Sequence, residues 1–168
     1  MTESNKNKNE VHEPSGLSKR AEEAFWEKEE KYRWVLNNMA DLVAIMDMNL
    51  NFIYVSPAIM RMRGYTPEEA VAHTMEQVMT PQSLNLCAGA FEEELKLEAE
   101  GKANPDTVRI LNIEQYRKDG STVMMETYVS FMRDDSGTPV GVISVSRDIT
   151  ERKLAEEKLK HTLARLEK

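Results

Sequence analysis

Three histidines, His12, His73 and His161, and a single cysteine, Cys87, are the side chains best suited to nucleophilic, acid-base or metal chemistry in this chain. Metal binding needs several such ligands at close spacing, and covalent catalysis needs a nucleophile beside a base that a third group orients. The four residues are scattered instead: His12 in a polar tail, His73 in a helix or loop, His161 in a terminal helix. Neither a nucleophile elbow nor a phosphate-binding glycine loop is present. The chain therefore reads as a non-enzymatic module. One cysteine cannot close an internal disulfide, which suits a reducing compartment, and Cys87 reads as a small buried hydrophobe.

The elements that would position such residues follow from periodicity and turn chemistry. Met1 to Gly16 is rich in Asn, Lys, Glu and Ser, with almost nothing to bury, so the segment is expected to be disordered. From Leu17 to Met39, apolar residues recur at three- and four-residue steps behind Ser18 as N-cap, predicting an amphipathic helix over 17–40. Strands are expected at Leu42 to Met46 and Phe52 to Val55 across an Asp- and Asn-rich turn. Ser56-Pro57, Thr66-Pro67 and Thr80-Pro81 each place a hydroxyl before proline, the signature of a helix start. Glu69 completes a capping box with Thr66. The third of these helices should run from Pro81 to about Glu100, with Leu84, Cys87, Phe91 and Leu95 on one stripe. Three strands follow, Thr107 to Tyr116, Thr122 to Met132 and Val140 to Ser146, joined at Asp119-Gly120 and Asp135-Ser136-Gly137. The fold class is α+β, although periodicity alone leaves other five-stranded arrangements open.

Bulk properties narrow the function. With 22 basic and 29 acidic residues the formal charge is −7, so no basic surface for nucleic acid is expected. No apolar run approaches the roughly 18 residues of a membrane span, and the N-terminus lacks a signal-peptide pattern, so a cytoplasmic location is expected. Eleven methionines, Met124 and Met125 among them, suit an adaptable interior that can repack around a guest or around nothing.

The C-terminal third adds the sharpest signal. Val140 to Ser146 runs into Asp148-Ile149-Thr150-Glu151, where Asp148 is placed to accept from the first free helix amides and Glu151 to reach back. The stretch Lys118-Asp119-Gly120-Ser121, the turn at Asp134 to Gly137 and the exit Asp148-Ile149-Thr150-Glu151-Arg152-Lys153 resemble the C-terminal half of a PAS domain. Asp41 to Gly64 resembles that family's opening hairpin and first short helix. The resemblance covers roughly Glu30 to Lys153. It implies a five-stranded antiparallel sheet with short helices on one face, the PAS domain at 41–150, and a signalling or coiled-coil helix at 151–168.

The resemblance also implies a cavity between the long helix and the sheet that takes haem, flavin or a small metabolite. Haem is disfavoured, because the Pro81 to Glu100 segment offers no axial histidine, leaving only His73 or a methionine. The flavin-binding light-sensing subgroup carries a reactive Asn-Cys-Arg-Phe-Leu-Gln loop, whereas Cys87 sits in Asn85-Leu86-Cys87-Ala88-Gly89. Of that subgroup's amide contacts, Gln115 keeps one, while Met125 and Ser146 replace two others. A small metabolite or no guest at all is the expectation, with flavin left open. The same alignment puts Gln115, Met125, Thr127, Val129, Ser144 and Ser146 on the cavity side, with Cys87 and Phe91 opposite. Strand alternation alone points the other way at the last strand, turning Ile143 and Val145 toward the core, and both readings stand at this point.

Output is expected through Asp148, Ile149 and Thr150 into the terminal helix, whose Ala155, Leu159, Thr162 and Leu166 form a short heptad stripe. A homodimer and a downstream effector follow from the resemblance: a histidine kinase, a cyclic-dinucleotide enzyme or a chemoreceptor. His161 is followed by Thr162-Leu163-Ala164-Arg165, which departs from the phospho-acceptor motif of such kinases, so it reads as a solvated helix-face residue. A ligand-free domain serving as dimerisation spacer is the alternative.

Overall fold

The computed structural model describes residues 30–166. The polar tail over 1–16 and the larger part of the helix expected over 17–40 lie outside them. The chain divides into two compact units, residues 1–35 and residues 36–168. Residues 30–38 are helical (α1), and in the first unit Tyr32, Trp34 and Val35 are exposed.

The second unit is built on five strands: β1 (Leu42–Met46), β2 (Phe52–Val55), β3 (Arg109–Tyr116), β4 (Thr122–Arg133) and β5 (Pro139–Asp148). They pair antiparallel in the order β2-β1-β5-β4-β3, so the last strand lies in the middle of the sheet. Its turns are closed by carboxylates. The Asp47 Oδ1 accepts from the Asn49 and Asn51 amides at 2.8 and 2.9 Å. At the β4-β5 turn the closing residue is Asp134 rather than Asp135: its Oδ1 accepts from the Ser136 and Thr138 amides at 2.9 and 3.0 Å, while Gly137 supplies the left-handed φ of 83°.

Four helices cross from β2 to β3: α2 (Ile59–Arg63), α3 (Pro67–Val71), α4 (Met75–Val78) and α5 (Pro81–Ala99). Thr66 and Thr80 cap α3 and α5 with proline at the first turn, as expected. The Ser56-Pro57 start does not hold. The Ser56 Oγ is buried and accepts from the Val43 amide at 2.9 Å, so it stitches β1 to the end of β2, and α2 begins behind Ala58. A further short helix, α4, has its own Thr74–Gln77 capping box, which the proline signal did not mark. In α5 the half-buried stripe continues from Phe91 through Glu94, and Leu95 is 39% exposed; two carboxylates, Glu94 and Glu98, take the inward positions, where Arg109 and Arg133 meet them.

Ile59, Val123 and Met125 are the innermost apolar side chains, joined by Leu42, Ala44, Val55, Val78, Met79 and Ile113. Because the α3 capping box satisfies two otherwise free helix-end groups, Thr66→Ala is expected to cost about 1 kcal/mol in urea unfolding, the usual worth of an N-cap. A change indistinguishable from zero would mean that tertiary contacts alone hold α3.

Candidate functional site

The alternation of the antiparallel strands puts successive side chains on opposite faces, and register aligns those facing the helices into rows. One row runs Leu111, Thr127, Ser146, Leu42; the next runs Arg109, Val129, Ser144, Ala44. Over these rows lies a cavity of about 110 Å³, roofed by α5 and the short helices. Gln115, Thr127, Val129, Ser144, Ser146, Cys87 and Phe91 all belong to its wall. Ser144 and Ser146 therefore face inward. Ile143 and Val145 pair across the other face with Ile45, Val43 and Tyr128, half-buried, which resolves the conflict between alignment and simple alternation.

Met125 departs from the expectation. It points to the helix side but has no exposed surface, enclosed by the cluster that holds Ile113, Val123 and Met79, so it fills the core beside the cavity instead of lining it. Leu42, Met46, Val78, Met79 and Leu111 supply aliphatic wall, while Arg63, Glu94, Arg109 and Arg133 add charged groups to it. Cys87 lies in it, and burial raises its thiol pKa, so the thiol form dominates near neutral pH. Phe91 packs edge-on to Phe131 with ring centroids 5.9 Å apart.

Polar atoms in the wall differ in how they are satisfied. Thr127 and Ser146 hydroxyls bond each other at 2.9 Å. The Gln115 Oε1 is buried and has no hydrogen-bond partner within the protein, and the same holds for Nη2 of Arg63, a wall residue only 3% exposed. Such groups carry a desolvation cost until something answers them. Sequence reasoning missed Arg63. In Arg61-Met62-Arg63-Gly64 it reads as an ordinary basic helix end, and only the tertiary fold buries it, donating from Nε to the Tyr116 carbonyl at 2.6 Å.

At the other end, ion pairs clamp α5 to the sheet. Arg109 donates to Glu94 at 2.6 Å and to Glu93 at 2.8 Å, and Arg133 pairs with Glu98. Hydrogen bonding to Glu94 foremost raises the Arg109 pKa, so its guanidinium stays charged across the physiological range.

The cavity is small. Its volume is below the ~300 Å³ at which pockets for drug-sized ligands begin. No histidine lines it; His73 instead packs edge-on against Tyr65, with centroids 4.7 Å apart. Among the described residues no group of three or more His, Cys, Asp or Glu could hold a metal ion. No helix among them is long and apolar enough to cross a membrane.

The junction to the last helix, α6 (Thr150–Leu166), is compact. β5 ends at Asp148 and α6 starts at Thr150. The expected capping box takes a tighter form: Asp148 Oδ1 accepts from the Thr150 amide at 2.9 Å and its hydroxyl at 2.6 Å, two residues on. Between them Ile149 is 2% exposed; its amide donates to the Met124 carbonyl at 3.1 Å and its carbonyl accepts from the Lys153 amide at 2.9 Å. Arg152, in the first turn of α6, reaches back to Glu126 of β4 at 2.9 Å. Beyond that turn α6 buries no residue, and His161 lies on its exposed surface.

The chain is 30% identical over 148 residues to a methyl sulfide methyltransferase-associated sensor of Methanosarcina acetivorans, covering 88% of this chain and 14% of that protein. It is 26% identical over 136 residues to the sensor histidine kinase TmoS of Ectopseudomonas mendocina, covering 81% of this chain and 13% of the kinase. The chain thus spans about one seventh of the length of these relatives. Among solved structures it resembles the PAS domain of an HTR-like protein from Haloarcula marismortui, with a TM-score of 0.61 at 18% identity over 78% of this chain and 99% of that one. Residues 36–154 match the PAS fold family, and with strand order, crossover helices and exit junction in agreement, the chain belongs to that family.

Proposed function

We propose that this PAS domain is a cytoplasmic sensory module. A small molecule in the cavity alters the packing of β5, and Asp148, Ile149 and Thr150 pass the change to α6 and on to a signalling effector such as a histidine kinase. One observation carries the reading: Ser144 and Ser146 form part of the cavity wall on the same strand that, two residues past Ser146, ends at α6. A guest shifts such a junction only as far as it prefers one packing over the other. The sensor relatives support a signalling role.

Two measurements on one preparation test it. Native mass spectrometry of freshly purified protein should show a bound small mass, and spin labels at Lys96→Cys and Lys158→Cys in a Cys87→Ser background should give a narrow distance distribution that shifts when that mass is stripped. A bare chain with a broad, unchanging distribution would overturn the proposal.

A ligand-free dimerisation spacer is the second reading, favoured by the exposure of Leu154, Leu159, Leu163 and Leu166 on α6. It retains the homodimer and discards the guest, so the mass measurement separates the two.

A further inference from the structure

Resting on the ligand-binding reading above, the geometry assigns a chemical class to the guest: we infer a small hydroxy acid, its carboxylate on Arg63, its hydroxyl donating to Gln115 and its short aliphatic body among the apolar wall. Arg63 is tied to the backbone one residue past Gln115. The Arg63 Nε is bonded to the carbonyl of Tyr116, the residue following Gln115, so the guanidinium is fixed at the end of β3 where Gln115 enters the wall.

Each presents an unanswered atom of opposite kind. Nη2 of Arg63 is a buried donor without an acceptor, and Oε1 of Gln115 is a buried acceptor without a donor. They do not answer each other. Among the described residues no carboxylate pairs with Arg63; besides the Tyr116 carbonyl it has the Tyr65 ring, 5.1 Å from its central carbon. Burial pulls its pKa down, opposed by Tyr65, yet a guanidinium stays protonated at any physiological pH. A buried cation of that kind is stabilised most by a carboxylate, which accepts two parallel N–H bonds in the fork geometry. The acidic wall residue, Glu94, is committed to Arg109. The volume of about 110 Å³ admits a short branched chain and little more. Charge, donor, apolar body and size together describe the hydroxy acid.

The test titrates the 15N-labelled chain with four probes of one shape: 2-hydroxyisobutyrate, isobutyrate lacking the hydroxyl, 2-hydroxyisobutyramide lacking the charge, and isobutyramide lacking both. Amide shifts in β3 and β5 report occupancy. The hydroxy acid should bind tightest, the neutral hydroxyamide about tenfold or more weaker, and isobutyrate several-fold weaker. Arg63→Met should erase the preference for charge, and Gln115→Leu the preference for hydroxyl; Arg63→Lys, which keeps a cation in the fold, should retain part of the first. If either amide binds as well as the acid, or if Arg63→Met leaves the acid's affinity unchanged, the hydroxy-acid inference falls while the cavity reading survives. If none of the four moves a β3 or β5 amide, the hydroxy-acid inference falls as well, and the native mass measurement above decides the cavity reading separately.

Discussion

Ile149→Ala is expected to destabilise the domain by about 2–5 kcal/mol, the range for large-to-small changes at enclosed aliphatic positions. Ile149 is 2% exposed and stands alone between the end of β5 and the start of α6. Its backbone serves both sides, donating to Met124 in β4 and accepting from Lys153 in α6. Those two bonds survive the substitution, so the side chain alone is being weighed. Beyond the first turn nothing else buries α6, and the loss of this anchor should free the helix as well as weaken the core. Urea unfolding should give the energy, and the spin-label pair Lys96→Cys and Lys158→Cys should broaden at once. A loss below about 1 kcal/mol, the size of an ordinary substitution, with the distribution unchanged would show that the junction does not depend on this side chain.

Gly141→Ala should cost about 1–3 kcal/mol, near the upper end of that range for an overfilled site. A Cβ at this position would stand 2.7 Å from the Met46 carbonyl oxygen, closer than real contacts allow. The obstacle is backbone, so no rotamer change relieves it; β1 and β5 must part. Gly141 faces the outside of the sheet opposite Met132, while its neighbour Val142 pairs with Met46, and both Val142 and Met46 line the cavity. The strain therefore reaches the wall. A fall in Tm of several degrees should accompany the change, since about 1 kcal/mol corresponds to a few degrees for a domain of this size. An unaltered Tm would mean that the bulge between Ile45 and Met46 in the β1-β2 pair absorbs the methyl without cost.

Local chemistry made much of this fold legible. The bounds of β1 and β2, the Thr66 and Thr80 caps with proline behind them, and the end of α5 before Gly101 all depend on residues within a few positions of each other. Short-range signals also misled where a side chain had a distant partner. Ser56 looks like a helix cap and instead holds the Val43 amide. Leu95 looks like the inward residue of α5, yet Glu94 and Glu98 take that face to meet Arg109 and Arg133 from the sheet.

The sequence by itself determined the order of the strands, the turns and the place where the last strand becomes a helix, because turn carboxylates, glycines and caps act on backbone they adjoin. Which face of β5 looks inward, and the burial of Arg63 beside Gln115, were decided by the tertiary structure alone. A strand between two partners buries both faces in part, so alternation loses its meaning there, and an arginine acquires an unanswered charge only when distant strands enclose it.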